Sequence, residues 1–260
     1  MKISAVIGSP RKMGNTYRVV EQVRKNLMKL DMDIEFEYIF LRDVDLKMCN
    51  GCFACISHDA GKCPLKDGRK EVEAALNSSD GIIFAAPGYA MGVPGLMKNF
   101  IDRFAYTCHR PSFFDKAVLL VTTIGSSRGM KQTLDQLAVL SGGGRKIRLG
   151  ITTPPIPMKG AEKAEKKIEK ASREFHKALK KGKKLPGAED WVWFYAFKTF
   201  CSVKAYQKVC PGDVSYYKDK KEYFYPLKGH YLRRLLGRTF KVMLKLGIGL
   251  MAGKGAGEDK

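Results

Sequence analysis

Short apolar runs rich in β-branched residues alternate with segments that repeat apolar residues at helical spacing. A continuous apolar run bounded by turn residues is typical of a strand buried on both faces, whereas alternation is typical of a strand with one buried face. On these criteria the sequence predicts strands at Lys2–Gly8, Asp33–Leu41, Gly81–Ala86, Ala117–Ile124 and Lys146–Thr152.

Helical segments separate these strands. They are predicted at Thr16–Leu30, Lys70–Asn77, Leu96–Tyr106, Met130–Leu140 and Glu162–Lys181. Apolar strands connected through helices favour a parallel sheet covered on both faces, so we predict an α/β fold with a doubly wound, five-stranded parallel sheet. Ligands of such sheets bind beyond the carboxyl ends of the strands. The loops after Gly8, Ala86 and Thr123 are therefore the candidate binding loops.

Composition and charge narrow the class of protein. Hydrophobic residues make up 45% of the 260 residues, which supports a sizeable core and argues against general disorder. The N-terminal apolar run is too short for a signal peptide, and no uninterrupted apolar stretch is long enough to span a bilayer, so we expect a cytoplasmic protein. Of the formal net charge of +21, +17 falls in residues 145–260. The basic excess therefore belongs to the C-terminal half.

The first candidate loop reads GSPRKMGNT, from Gly8 to Thr16. It leads from a strand into a helix, where backbone N–H groups and the helix dipole favour an anion. Ser9, Asn15 and Thr16 add polar hydrogens, and Arg11 adds a charge that pairs well with phosphate. The loop matches neither the Walker motif nor GxGxxG, and it suits a single terminal phosphate such as that of flavin mononucleotide (FMN). The alternative is an ordinary polar turn in which Asn15 or Thr16 caps the helix.

Two further loops follow the third and fourth predicted strands. The stretch PGYAMGVPG after Ala86 is rich in glycine and proline, so its backbone can lie close to a flat ring, and Tyr89 and Met91 offer aromatic and apolar contacts. The stretch after Thr123 contributes Gly125 and Ser126 at the end of its strand. Taken alone, this last loop is a weaker indication of a binding site.

Four of the seven cysteines lie within the segment CNGCFACISHDAGKC. These are Cys49, Cys52, Cys55 and Cys63, and the last is followed by Pro64. A reducing compartment argues against disulfides, and two-residue spacing with a terminal Cys-Pro is typical of iron–sulfur ligation. Zinc sites more often pair two separate C-x2-C motifs. A zinc site, a redox thiol pair and a segment without a metal stay open as alternatives.

Together these segments resemble the flavodoxin-like NAD(P)H-dependent FMN reductase superfamily, and more closely its iron–sulfur flavoprotein branch. The resemblance rests on GSPRKMGNT, on the cysteine segment and on SDGIIFAAPGYAMGVPGLMKNFIDR, which occur in the order and spacing of that branch. It covers about the first 150 residues. Gly88 departs from it, because the family usually has a larger apolar residue there.

The resemblance implies FMN as cofactor and a [4Fe–4S] cluster on Cys49, Cys52, Cys55 and Cys63. It implies phosphate contacts from Ser9, Arg11, Asn15 and Thr16, and ring contacts from Pro87, Tyr89, Ala90, Met91 and Gly92. It also implies NAD(P)H or reduced ferredoxin as electron donor and a homodimer or larger homo-oligomer. The flavin carries the chemistry, so no side chain is assigned as a catalytic acid or base. Two alternatives stay open: a cluster-free NAD(P)H-dependent FMN or quinone reductase, and a non-catalytic flavodoxin-like module that docks by its basic tail.

The C-terminal part does not belong to the predicted sheet. We predict a flavodoxin-like domain over residues 1–184 and a basic, partly helical extension over residues 185–260, with Leu185–Asp190 as a linker. The extension ends in a predicted basic amphipathic helix. Its apolar face comprises Leu232, Leu235, Leu236, Val242, Met243 and Leu246. Such a helix can lie on an anionic membrane, or it can pack its apolar face on the flavodoxin-like domain or on a second subunit. Its glycines weaken a free helix and favour packing. Nucleic-acid binding is disfavoured, since no recognised module accompanies the charge.

Overall fold

The computed structural model describes residues 1–153, 161–232, 234–235, 237–240 and 242. The chain divides into two compact units. One comprises Met1–Cys52 and Pro64–Lys184, and the other comprises Phe53–Cys63 together with the residues from Leu185 onward. The second unit thus includes part of the cysteine segment, which the sequence prediction assigned to the first domain.

The first unit is built on a parallel β-sheet. Its strands are β1 (Lys2–Ile7), β2 (Glu35–Phe40), β3 (Gly81–Pro87), β4 (Ala117–Ile124) and β5 (Arg145–Thr152). Within the described part of the chain these five strands are ordered β2-β1-β3-β4-β5, and every neighbouring pair is parallel. The predicted α/β fold is confirmed. Because the strand order reverses direction at β1, the crevice between β1 and β3 is the expected ligand position.

Helices cover both faces of this sheet. They are α1 (Asn15–Leu30), α3 (Arg69–Ser78), α4 (Gly95–Arg103), α5 (Tyr106–His109), α6 (Met130–Ala138) and α7 (Ala161–Leu179), with α2 (Ala54–Ser57) belonging to the second unit. On one face α1 and α7 pack on alternate strand residues such as Ile3, Ile83 and Leu119. On the other face Phe84 of β3 contacts Phe100 of α4. Successive side chains of a strand point to opposite faces of the sheet, and in the inner strands β1, β3 and β4 the side chains on both faces are buried.

One predicted helix is interrupted. The segment Leu96–Tyr106 forms two helices, α4 and α5, and not one. The Phe104 N–H bonds to the carbonyl oxygens of Phe100 and Ile101, which tightens the last turn of α4. Beyond this break the Tyr106 hydroxyl donates to Glu73 of α3. Tertiary hydrogen bonding therefore ends α4 where helical periodicity continues in the sequence.

The second unit is helical and rich in aromatic residues. Besides α2 it contains α8 (Ala188–Phe200), α9 (Lys204–Val209) and α10 (Pro211–Tyr217). Its interior is formed by aromatic side chains in mutual contact, among them Trp191, Phe194, Tyr195, Tyr217 and Tyr223. The prediction of a linker over Leu185–Asp190 is wrong from Ala188 on. There α8 begins, and the Asp190 carboxylate accepts the Gly187 N–H at 2.7 Å.

The predicted C-terminal amphipathic helix is described only in part. Residues 231–232, 234–235, 237–240 and 242 are helical, whereas Leu236, Met243 and Leu246 lie outside the described residues. A Cβ at Gly237 would lie 2.7 Å from the Trp191 ring, so glycine permits this close approach. This contact lies within the second unit, and packing of the apolar face on the flavodoxin-like domain or on a second subunit stays a prediction. In the described part of the chain, no helix is both long and apolar enough to cross a bilayer.

Candidate functional site

The first loop leaves the amino terminus of α1 open. Among the described residues no side chain caps this helix, and Gly14 stands at the N-cap position in an extended conformation. The interpretation of Asn15 or Thr16 as the cap is therefore wrong. The first turn carries no acidic residue, so the unpaired N–H groups and the helix dipole together favour an anion.

The polar residues of this loop divide into two kinds. Ser9 is buried, and its hydroxyl accepts the Arg11 N–H at 3.2 Å and donates to the Arg11 carbonyl at 3.0 Å, which shapes the turn. Arg11 and Asn15 are exposed at the loop surface. Thr16 is buried, and its hydroxyl lies 2.7 Å from that of Thr123 at the end of β4. Ser9 and Thr16 therefore support the loop from inside, while Arg11 and Asn15 are free to meet a ligand.

The second loop begins with a strained two-residue turn. Tyr89 and Gly92 exchange backbone hydrogen bonds of 2.8 and 2.9 Å. Between them Ala90 and Met91 have φ values of 47° and 69°, the left-handed region that glycine and asparagine normally occupy. Positive φ at both central residues is the geometry of a type I′ turn. Strain of this kind is often concentrated at ligand-binding sites, and here it falls on residues predicted to contact a ring.

Neighbouring residues hold this turn in place. The Val93 N–H donates to the Gln136 side-chain oxygen of α6 at 2.8 Å. A Cβ at Gly129 would lie 2.9 Å from the Met91 Cα, so only glycine permits this approach. A Cβ at Gly88 would lie 2.6 Å from the Ile124 side chain, which fills the place of the larger residue expected there. The sequence analysis missed Gln136, Gly129 and Ile124 because their partners are remote in sequence.

The third loop lies beside the other two. Gly125 and Ser126 are exposed directly after β4, and a Cβ at Gly125 would meet open space. The Gly88 N–H donates to the Thr123 carbonyl at 2.8 Å, and the Gly8 N–H donates to the Ala85 carbonyl at 2.8 Å. Hydrogen bonds thus connect the carboxyl end of β1 to that of β3, and the carboxyl end of β3 to that of β4. This arrangement places the three predicted loops along one edge of the sheet.

The cysteine segment contains short helices that the sequence analysis did not predict. It forms α2 and a short 3-10 helix at Ala60–Lys62, where the Asp59 side chain accepts the Gly61 N–H at 2.7 Å. In the described part of the chain none of these four cysteines forms a disulfide, and Cys52 is exposed while the other three are half-buried. Across the described residues, no three His, Cys, Asp or Glu side chains are gathered in an arrangement that could hold a metal ion. The assignment of the four thiols as ligands therefore stays a prediction.

Two cysteines outside this segment have the surroundings of ordinary thiols. Cys210 is buried, and Cys201 follows the last turn of α8. Burial raises the pKa of Cys201 to about 11, and the neighbouring Asp213 carboxylate adds to this effect. A thiol with so high a pKa is almost fully protonated at neutral pH and is a weak nucleophile.

Comparison with known proteins gives a consistent result. Residues 1–145 match the family model of NADPH-dependent FMN reductases. An iron–sulfur flavoprotein of Clostridioides difficile is 31% identical over 216 residues, which span 80% of this chain and 93% of that protein. An iron–sulfur flavoprotein of Methanocaldococcus jannaschii is 37% identical over 103 residues, or 40% of this chain and 51% of that protein. These matches confirm the resemblance found in the sequence.

Solved structures agree at the level of the fold. A structure named flavone reductase is 17% identical with a TM-score of 0.53, over 69% of this chain and 63% of that one. An NAD(P)H:quinone oxidoreductase from Methanothermobacter marburgensis is 16% identical with a TM-score of 0.51, over 68% of this chain and 98% of that one. At this level of identity the likeness concerns the α/β fold alone.

Proposed function

Because the chain belongs to the NADPH-dependent FMN reductase family, on its iron–sulfur flavoprotein branch, we propose that it passes electrons between NAD(P)H or reduced ferredoxin, a [4Fe–4S] cluster and FMN. The observation that carries this proposal is the alignment of three loops at the carboxyl ends of β1, β3 and β4. The first offers an open helix terminus and the second a strained turn. When bound, FMN exchanges electrons in pairs as hydride or singly, and an iron–sulfur cluster exchanges them singly.

The first loop binds the phosphate in this proposal. The N–H groups at the start of α1 point toward the anion, and the exposed Arg11 guanidinium adds a charge-assisted hydrogen bond. Asn15 donates from its side-chain amide. Ser9 and Thr16, which the sequence assigned as direct contacts, act by shaping and anchoring the loop, since both are buried and bonded within the protein.

The second and third loops hold the isoalloxazine ring. In the turn from Tyr89 to Gly92, the outer amides are used within the turn, while Ala90 and Met91 stand at its exposed tip. Their backbone groups are suited to hydrogen-bond a ring edge, and the half-exposed Tyr89 offers an aromatic contact. Pro87 ends β3 beneath the turn. Gly125 and Ser126 complete the edge, where the absence of a Cβ at Gly125 leaves room for the ring.

The cysteine segment ligates the cluster in this proposal. Four cysteine thiols are the donor set of a [4Fe–4S] centre, and Cys49, Cys52 and Cys55 have the close spacing of such sites. Gly51 and Phe53 both have positive φ, so the backbone between these thiols turns sharply. In this proposal NAD(P)H would give up a hydride and leave as NAD(P)⁺, or two reduced ferredoxins would give one electron each, and FMN would take up the two electrons with protons from solvent.

We further propose a cytoplasmic homodimer or larger homo-oligomer, and contact with an anionic membrane through the C-terminal basic helix as a secondary interaction. Exposed Leu232, Leu235 and Val242 support such a contact, since they present apolar surface beside basic residues. Light scattering of the purified protein tests the assembly. Sedimentation with neutral and anionic vesicles tests the membrane contact.

The central experiment is an anaerobic purification with quantification of FMN, iron and acid-labile sulfide. We expect FMN together with iron and sulfide in equal amounts, and we expect Cys49→Ser to lose iron and sulfide while it keeps FMN. Cys108→Ser is the matched control, because Cys108 lies outside the cysteine segment, and it should keep all three. FMN without iron would establish the cluster-free reductase instead. Protein that fails to bind added FMN would contradict both functions.

A further inference from the structure

The backbone that leads into the cysteine segment is held by one helix, α4. The Cys49 N–H donates to the Asn99 side-chain oxygen at 2.9 Å. The Asn99 amide nitrogen donates back to the carbonyl oxygens of Leu46 and Lys47, at 3.3 and 3.2 Å. Asn99 is only 7% exposed. One buried side chain thus satisfies three backbone groups of a segment that forms neither helix nor strand.

A buried ion pair reinforces this attachment one turn further along the helix. Arg103 donates to the Lys47 carbonyl at 2.6 Å and to the Asp67 carboxylate at 2.9 Å. Both charged side chains are 1% exposed. Asp67 also accepts the Lys47 N–H at 2.9 Å. Residue spacing of i,i+4 places Asn99 and Arg103 on the same face of α4. Both side chains therefore form hydrogen bonds with the same short segment, residues 46–49.

The other end of α4 adjoins the strained turn. Tyr89–Gly92 is followed by Val93 and Pro94, and α4 begins at Gly95. With a rise of about 1.5 Å per residue, Asn99 stands only about 6 Å along the helix from its first residue. A single rigid element therefore connects the proposed ring-binding turn to the first cysteine of the segment.

We infer that Asn99, supported by the Arg103–Asp67 pair, is a positioning residue that sets the backbone of Cys49 relative to the turn Tyr89–Gly92. The inference rests on the proposed function, since its consequence is a fixed place for a cluster ligand beside the flavin loop. Groups that orient a metal ligand through hydrogen bonds hold it in its productive geometry, and their loss commonly weakens metal binding 10- to 100-fold. The hydrogen bonds through which Asn99 acts are made to backbone groups of Leu46, Lys47 and Cys49.

The test compares Asn99→Ala, Asn99→Asp and Lys98→Ala in the holoprotein. Lys98→Ala is the matched control, because Lys98 directly precedes Asn99 on the helix and forms an exposed ion pair with Asp102. For each variant we would measure FMN content, the rate at which a chelator removes iron, and the midpoint potential of the cluster by spectroscopic redox titration. Asn99→Ala should keep FMN, release iron about 10-fold faster than the wild type, and shift the potential. Asn99→Asp retains an acceptor for the Cys49 N–H and should lie between Ala and the wild type.

The outcomes separate this inference from the proposed function. If the wild type lacks FMN or iron, the proposed function fails. If the wild type holds both and Asn99→Ala behaves like Lys98→Ala, the positioning role is wrong. Amide hydrogen exchange of the wild type decides the case in which Asn99→Ala does not fold. The Cys49 amide should exchange more slowly than those of Met48 and Asn50, and equal rates for all three would overturn the inference.

Discussion

The side-chain hydroxyls of Thr16 and Thr123 lie 2.7 Å apart, and both residues are buried. Thr16 stands in the first turn of α1, whereas Thr123 lies near the end of β4, 107 residues later. This hydrogen bond joins the proposed phosphate loop to the strand that leads into the third loop. The assignment of Thr16 as a direct phosphate contact stays a prediction.

Replacing either threonine by valine should destabilise the protein. Valine keeps the shape of the side chain but leaves the remaining hydroxyl buried without its partner, at a cost of about 1–3 kcal/mol. In the double variant Thr16→Val/Thr123→Val no such hydroxyl remains, so its loss of unfolding free energy should be smaller than the sum of the two single losses. Urea unfolding measures all three, and strictly additive losses would contradict the pairing.

Arg11→Ala should weaken FMN binding and leave riboflavin binding unchanged. Riboflavin has the ring but not the phosphate, so it separates the two parts of the site. Loss of a charge-assisted hydrogen bond to phosphate predicts about a 10- to 100-fold rise in the FMN dissociation constant. Lys12→Ala is the control in the same loop, because Lys12 already pairs with Asp43 at 2.5 Å. Equal weakening of both ligands by Arg11→Ala would show that Arg11 does not bind phosphate.

The turn at Ala90 predicts opposite effects for two small substitutions. A left-handed conformation costs a residue with a Cβ roughly 1–2 kcal/mol, and glycine avoids this cost. Ala90→Gly should therefore leave the flavin-free protein as stable as the wild type or up to about 1 kcal/mol more stable. Ala90→Val should destabilise it, because branching at Cβ makes positive φ less accessible. Thermal unfolding of both variants tests this order, and a more stable Ala90→Val would exclude the left-handed turn.

The buried Arg103–Asp67 pair predicts a dependence of stability on pH. Burial raises the pKa of Asp67, but hydrogen bonds from Arg103 and from the Lys47 and Arg69 N–H groups outweigh it, so the pKa lies below its usual value. A carboxyl whose pKa is lowered by folding contributes stability above its unfolded pKa of about 3.9, and this contribution is lost as the pH falls through the folded pKa.

Asp67→Asn should accordingly cost about 3–5 kcal/mol at pH 7, because it leaves Arg103 buried without its counter-charge. The difference from the wild type should shrink as the pH falls below about 4, because the Asp67 carboxylate becomes protonated first in the unfolded state and, at still lower pH, in the folded state. Asp102→Asn removes an exposed pair on the same helix and should change stability by less than about 1 kcal/mol. Urea unfolding across this pH range gives both curves. A constant difference between Asp67→Asn and the wild type would rule out a contribution from the ionised carboxylate.

The regular elements and loops of the first unit could be predicted from the sequence, because they follow from local patterns of apolar and turn residues. The run AVLLVTTI predicts Ala117–Ile124 with the same bounds as β4. Short helices could not be predicted in this way. The helix α2 lies in a segment with too few residues for any periodicity, and Phe53 precedes it in a left-handed conformation. A Cβ at Gly212 of α10 would collide with the His58 carbonyl, so α2 is packed closely within its own unit.

The sequence by itself determined the class of fold, the three loops and the four cysteines, because apolar periodicity, glycine-rich turns and residue spacing are local properties of the chain. Only the tertiary structure decided which polar residues of these loops are buried and which are exposed. Ser9 and Arg11 are both polar residues of the same loop, but Ser9 is buried and Arg11 is exposed. The partners of Thr16 and Cys49 are Thr123 and Asn99, which come close only when the strands pair and α4 packs on the sheet. Hydrogen bonds between positions so far apart along the chain produce no periodic pattern from which the sequence could predict them.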